Sequence, residues 1–185
     1  MKLEEIRKEL DVVDKEMRSL FERRMELAKN VADVKFETGD EIYKPDREKE
    51  VISKNSEPVS EEFRKEYQLF QKDVIGFSRS HQYRVYAMKD RTVCINKEDV
   101  PFDITDTDEA ASRHIVDISF ELQNVITDLP VFYKAIVSSE IKVSEHSVSG
   151  SRVYFRLELD ASDDRHIAFL YMIIKETHNL EIKEV

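Results

Sequence analysis

The sequence contains a single cysteine, Cys94, so it can close no internal disulfide and has no second thiol for a zinc site. A small buried hydrophobe is the role expected of it. No apolar run approaches the ~18 residues of a membrane span, and the opening MKLEEIRKEL is charged throughout, without the apolar centre of a signal peptide. A cytoplasmic protein with no membrane partner is expected. Excess positive charge is missing too: the formal net charge is −10, which argues against nucleic acid as a partner. Glycine occurs only three times, and the long helical patterns before residue 90 are almost free of it.

What is present suffices for a core, with 41% hydrophobic residues beside 37% charged ones. The charge is unevenly spread. Residues 1–90 carry 19 Lys and Arg against 21 Asp and Glu, a balance of −2, whereas residues 91–185 carry 10 against 18, a balance of −8. Two domains are expected, over residues 1–90 and 113–185, joined by a polar, acidic linker at 91–112 with one short strand over Thr92–Ile95. In the first domain Leu3, Ile6, Leu10, Val13, Met17, Leu20, Leu27, Val31 and Val34 step by three and four. That pattern predicts a helix from Lys2 to Glu37, ended by Gly39, and on the order of 50 Å long. A short helix fits DREKEVISKN, with Pro45 near its first turn. A third opens at PVSEEF with Ser60 as N-cap and runs to about Met88, weakened at Gly76 by about 1 kcal/mol relative to alanine. Helices this long need a second chain over their apolar faces, so an intertwined homodimer is expected.

After the linker, HIVDISFEL reads as a strand and DLPVFYKAIVSSE as a helix. IKVSEHSV and RVYFRLEL form a hairpin around Ser149-Gly150-Ser151, DDRHIAFLYMIIKETHN is helical, and LEIKEV is a final strand. The order βαββαβ is the ferredoxin-like plan. His114, His146, His166 and His178 lack metal-ligand spacing and read as surface or strand-end residues. No metal and no cofactor are expected.

The first helix has one irregularity. Between Leu20 and Leu27 the seam position is Arg24, and an arginine there is ordinarily structural, its stem packed and its head at the rim. Lys35, eleven residues on, returns to within about 20° of the same face and roughly 16 Å along the axis. Ser78 and Gln82 share a face of the third helix, and Glu48 lies beside Val51 and Ile52 at the apolar boundary of the second. Two cations, one anion and two neutral hydrogen-bonding groups suit a small hydroxylated polyanion. Arg7, on the order of 25 Å from Arg24 on the same helix, cannot reach the same small ligand, but in an antiparallel dimer it could enter the partner's pocket.

The segments IRKELDVVD, ERRMELAKNVADVK, IYKPDREKEV and SRSHQ, in this order and spacing, resemble the all-helical chorismate mutase family over roughly residues 1–88. The resemblance implies two interlocked chains with two active sites that rearrange chorismate to prephenate, in phenylalanine and tyrosine biosynthesis. It also implies roles for the residues. Arg24 would hold a substrate carboxylate and Arg7 would reach in from the partner. Lys35 and Gln82 would donate to the ether oxygen whose bond breaks, Glu48 would accept from the ring hydroxyl, and Ser78 would assist at a carboxylate. Lys44 departs from the family, in which an acidic residue commonly stands near the substrate hydroxyl. The second domain resembles an ACT domain, without the glycine usual at the first strand-to-helix turn; a structural module and a phenylalanine or tyrosine sensor both fit. Alternatives to the mutase are an isochorismate pyruvate-lyase on the same scaffold and a non-enzymatic regulatory subunit of the aromatic pathway.

Overall fold

The seam of apolar residues becomes α1, Leu3–Thr38, about 54 Å long at its 36 residues. Gly39, at φ 69°, supplies the left-handed turn that ends it, and Asp40 N donates back to Lys35 O at 3.0 Å. Pro45 opens α2, Pro45–Ser56. The third helix, α3, spans Arg64–Lys89, so Ser60 is not its N-cap. Ser60 spends its carbonyl on a turn that accepts from Phe63 N at 3.1 Å, and Phe63 stands at the helix start. The computed structural model describes residues 2–96, 98–105 and 112–185.

Packing fixes the helix directions. Asp33 pairs with Lys89 at 2.6 Å and Phe36 meets Tyr86 edge-on at 5.2 Å, while Arg24 reaches Val74, so α1 and α3 run parallel. The short α2 runs antiparallel to α3, with Glu48 at Arg79 and Asn55 at Gln71. Only the second half of α1 is covered. Ala28 and Ala32 are its buried residues, and every residue from Lys2 to Arg23 is exposed.

The remaining elements are β1 Arg113–Glu121, α4 Val125–Ser138, β2 Lys142–Ser149, β3 Arg152–Asp160, α5 Asp164–Glu176 and β4 His178–Glu184. They form an antiparallel sheet in the order β2-β3-β1-β4, which is the ferredoxin-like fold. Alternation places Val116, Ile118 and Phe120 of β1 and Val153, Phe155 and Leu157 of β3 on one face, all wholly buried. The opposite face carries charge, with Asp117 accepting from Arg156 at 2.7 and 2.9 Å. Between this sheet and α3 lies α5, whose run from His166 to Ile173 is buried throughout, as expected of a helix apolar on every side.

No strand forms over Thr92–Ile95. Asp90 instead accepts from Thr92 N at 2.8 Å and Thr92 Oγ1 at 2.7 Å, a side-chain turn that competes with extended pairing. Ile95, Val100 and Ile104 from this stretch are buried in the same cluster as the sheet core, and the rest of the expected linker includes residues outside those described. Cys94 packs against that core, and burial pushes its thiol up to about 11. His166 is buried rather than at the surface. Its Nδ1 accepts from Asp160 N at 2.8 Å, which leaves Nε2 to donate to Ser139 O at 3.1 Å; burial lowers its pKa.

Candidate active site

Arg24 interrupts the α1 seam because its guanidinium turns onto α3. Nη1 donates to Val74 O at 3.3 Å and to Ser78 Oγ, and Ser78 Oγ in turn donates to Val74 O at 2.8 Å. The cation is half-buried, and desolvation lowers its pKa. One turn further along α3, Gln82 Nε2 donates to Ser78 O at 3.3 Å, while its Oε1 is buried without a hydrogen-bond partner among the described residues. Arg24, Ser78 and Gln82 therefore sit along one junction of α1 and α3.

Lys35 closes the other end. Its ammonium donates to Glu41 O at 2.8 Å and Ile42 O at 3.0 Å, so the loop after Gly39 wraps around it. Desolvation lowers its pKa, opposed by Asp40 and Glu48 and aided by Lys44, which places all three charges within electrostatic reach. Lys44 points outward and pairs with Asp40 at 2.6 Å, both about half-exposed. Arg7 lies on the exposed half of α1 and is not brought to this site; the rigid helix keeps it about 25 Å from Arg24.

Glu48 is held by a residue that sequence reasoning passed over. Both of its carboxylate oxygens accept from Arg79 Nη1, at 2.5 and 2.6 Å, and Arg79 Nε lies 2.7 Å from Glu176 Oε1 at the end of α5. That second contact is a buried ion pair. The side chains of Arg79 and Glu176 are only 7% and 3% exposed, and Arg79 stacks over the Tyr43 ring at 4.7 Å. Burial alone would lower the pKa of Arg79, but the two carboxylates raise it; burial pushes Glu176 up to about 7 against the pull of Arg79. A cation one residue beyond Ser78 in SRSHQ was the available signal. Its second partner is 97 positions away in the chain, beyond the reach of helical periodicity.

The arrangement offers fixed donors and cations. Among the described residues no group of three or more His, Cys, Asp or Glu could hold a metal ion, and no helix is long and apolar enough to cross a membrane. Residues 6–83 match the family model described as Chorismate mutase type II. The match takes in all seven candidate positions, from Arg7 to Gln82, and stops before the ferredoxin-like domain. No curated protein and no solved structure matches the chain.

Proposed function

We propose that the protein rearranges chorismate to prephenate, an isomerase reaction on the route to phenylalanine and tyrosine, because residues 6–83 match the family model described as Chorismate mutase type II. The observation that carries this reading is the fixing of Lys35. Two of its three N–H bonds are held by the carbonyls of Glu41 and Ile42, and their geometry aims the third. The rearrangement moves no proton; it breaks an ether bond while a carbon–carbon bond forms, and the ether oxygen gains charge as its bond stretches. A cation fixed in advance stabilises that charge without reorganising. Gln82 Nε2 has a second N–H beyond the one given to Ser78 O, and it donates to the same oxygen. Arg24 holds a carboxylate of the dianion with Ser78 beside it, Glu48 accepts from the ring hydroxyl, and Lys44 lies at the rim near that hydroxyl. Together they hold the substrate in the compact conformation that rearrangement needs.

Arg7 completes the site from a second copy. The apolar seam of α1 is unpaired in one chain, with Leu10 at 54%, Leu20 at 65% and Val34 at 60% exposed. An antiparallel homodimer covers it and carries the partner's Arg7 to each pocket. The ferredoxin-like domain acts as a brace rather than as an amino-acid sensor. At its first strand-to-helix turn two backbone amides are already taken, Thr127 N by Asn124 Oδ1 at 3.2 Å and Asn124 N by Asp128 Oδ2 at 3.3 Å, which leaves these two committed to the helix cap. Neither phenylalanine nor tyrosine should shift the melting temperature.

The test is to follow the loss of chorismate absorbance with purified protein and to identify the product. Prephenate is expected; salicylate and pyruvate would indicate a lyase, and no turnover would refute both enzyme readings. Lys35→Ala should lower kcat about a thousandfold, as loss of a transition-state donor does, while shifting the melting temperature by less than about 5 °C. An unchanged kcat would remove Lys35 from its assigned role.

A further inference from the structure

We propose that Arg79 is a positioning residue for the rearrangement: from α3 it grips both oxygens of Glu48, fixing that carboxylate for the ring hydroxyl, and through Glu176 it ties the site to the ferredoxin-like domain. This rests on the mutase reading given above.

The argument begins with Glu48, which has two sets of neighbours. On one side its charge is felt by the ammonium of Lys35; on the other it is bound at 2.5 and 2.6 Å by Arg79 Nη1. An ionised carboxylate oxygen can accept more than one hydrogen bond, so the grip of Arg79 leaves Glu48 able to accept a hydroxyl while restricting where it does so. A glutamate without that grip has three torsions to order on binding. The second anion sets a limit on the grip. Glu176 shares the same guanidinium, at 2.7 Å from Nε, and its side chain is almost wholly buried. One cation between two carboxylates leaves the cluster short of a positive charge when both are ionised, beside a site meant for a dianion. Since Glu176 is the last residue of α5, the position of the ferredoxin-like domain determines how Arg79 divides itself. A cluster that only joined the two domains would not need Glu48, because Arg79 and Glu176 already span α3 and α5. Other charged or titratable groups around it are Tyr43 before α2, Asp46 and Lys49 on α2, Tyr83 and Lys72 on α3, Asp128 on α4, Lys175 on α5 and His178 on β4.

Steady-state kinetics with chorismate on the intact protein, from about pH 5.5 to about pH 8.5, test the proposal with Arg79→Met, Arg79→Lys and Glu176→Gln. For Arg79→Met, KM should rise roughly tenfold while kcat changes less than about threefold, the signature of lost ground-state positioning. The loss in kcat/KM should be deepest at acid pH, where two carboxylates left facing each other without a cation share a proton. Arg79→Lys should recover most of it. For Glu176→Gln, KM should match the wild type near pH 6 and fall about twofold below it above pH 8, because the competing anion is gone. A folded Arg79→Met with wild-type KM and pH profile overturns the proposal, as does an equal loss of kcat and kcat/KM at every pH that lysine does not rescue. If Arg79→Met does not fold, Glu176→Gln decides: a profile identical to the wild type overturns the proposal, and the expected alkaline difference supports it. A wild-type protein that turns over no chorismate overturns the mutase reading and this one together, whereas failure in the variants alone overturns only this one.

Discussion

The first half of α1 and the middle of α5 are both helices rich in apolar residues, yet one is fully exposed from Lys2 to Arg23 and the other fully buried from His166 to Ile173. The difference lies in what each chain segment can reach. The sheet lies under one face of α5 and α3 lies over the other, with Tyr171 meeting Tyr83, so its apolar surface is removed from water within one molecule. In α1 the stripe at Leu3, Ile6, Leu10, Val13, Met17 and Leu20 is as regular, and none of the described residues covers it. A stripe that periodic, on a helix that long, is what carries the proposal of a homodimer.

The largest effect that would break this contrast is on α1. If the proposed homodimer is right, Leu20→Asp should dissociate it and lower activity by more than about a hundredfold, since each proposed site then loses the Arg7 assigned to the partner; sedimentation and turnover measured together check it. A fully active monomer would show that the exposed stripe serves another purpose. On α5, Leu170→Ala should instead lower stability by 2 to 5 kcal/mol, the usual range for a core leucine, in denaturant melts of the wild type and variant at one protein concentration. A third measurement sharpens the contrast further. Mixed dimers of Arg7→Ala and Arg24→Ala chains should regain about half of wild-type activity per dimer, as one of two sites is then intact. Verified heterodimers that remain inactive would exclude a shared site.

Much of this was legible because it is local. Gly39 and Pro45 mark helix boundaries by their backbone chemistry alone, and the break at Arg24 places a cation at the very junction where Ser78 stands. The strand pattern of the second domain follows from alternation, which repeats every two residues. Errors arose where a side chain competes with the backbone. Thr92–Ile95 has strand-forming residues, yet Asp90 caps the turn before them; Ser60 has the chemistry of an N-cap, yet its carbonyl goes to a turn and the helix starts four residues later. His166 was misplaced because a histidine reads as polar until two backbone groups are found to satisfy it. The Arg79 cluster was illegible for a different reason: Glu48, Arg79 and Glu176 come from three helices and two domains, and only packing brings them together.

That cluster also predicts how stability depends on pH. Burial raises Glu176 to about 7 in the folded protein from an ordinary value of 4.5. The folded state therefore holds a proton that the unfolded state has released between those values, and this contribution makes stability fall as pH rises across the window. Glu176→Gln should flatten that part of the profile in denaturant melts at a series of pH values, whereas an unchanged slope would assign the dependence to other groups.

The smallest effect tests the seam between the two regions. Gly76 lies inside α3, where glycine is about 1 kcal/mol less favourable than alanine, and it faces α4. If the helices met there more closely than a methyl group allows, the glycine would be required. A Cβ added at Gly76 would lie 3.6 Å from Val131 Cγ1, an ordinary contact, and Lys72–Asp128 and Lys134–Asp73 already hold the neighbouring surfaces together. Gly76→Ala should therefore stabilise the protein by about 1 kcal/mol, a rise of a few degrees in melting temperature, without altering turnover. A fall in melting temperature would mean that α3 and α4 need a closer approach, and that the boundary between the domains is set by backbone contact rather than by the ion pairs beside it.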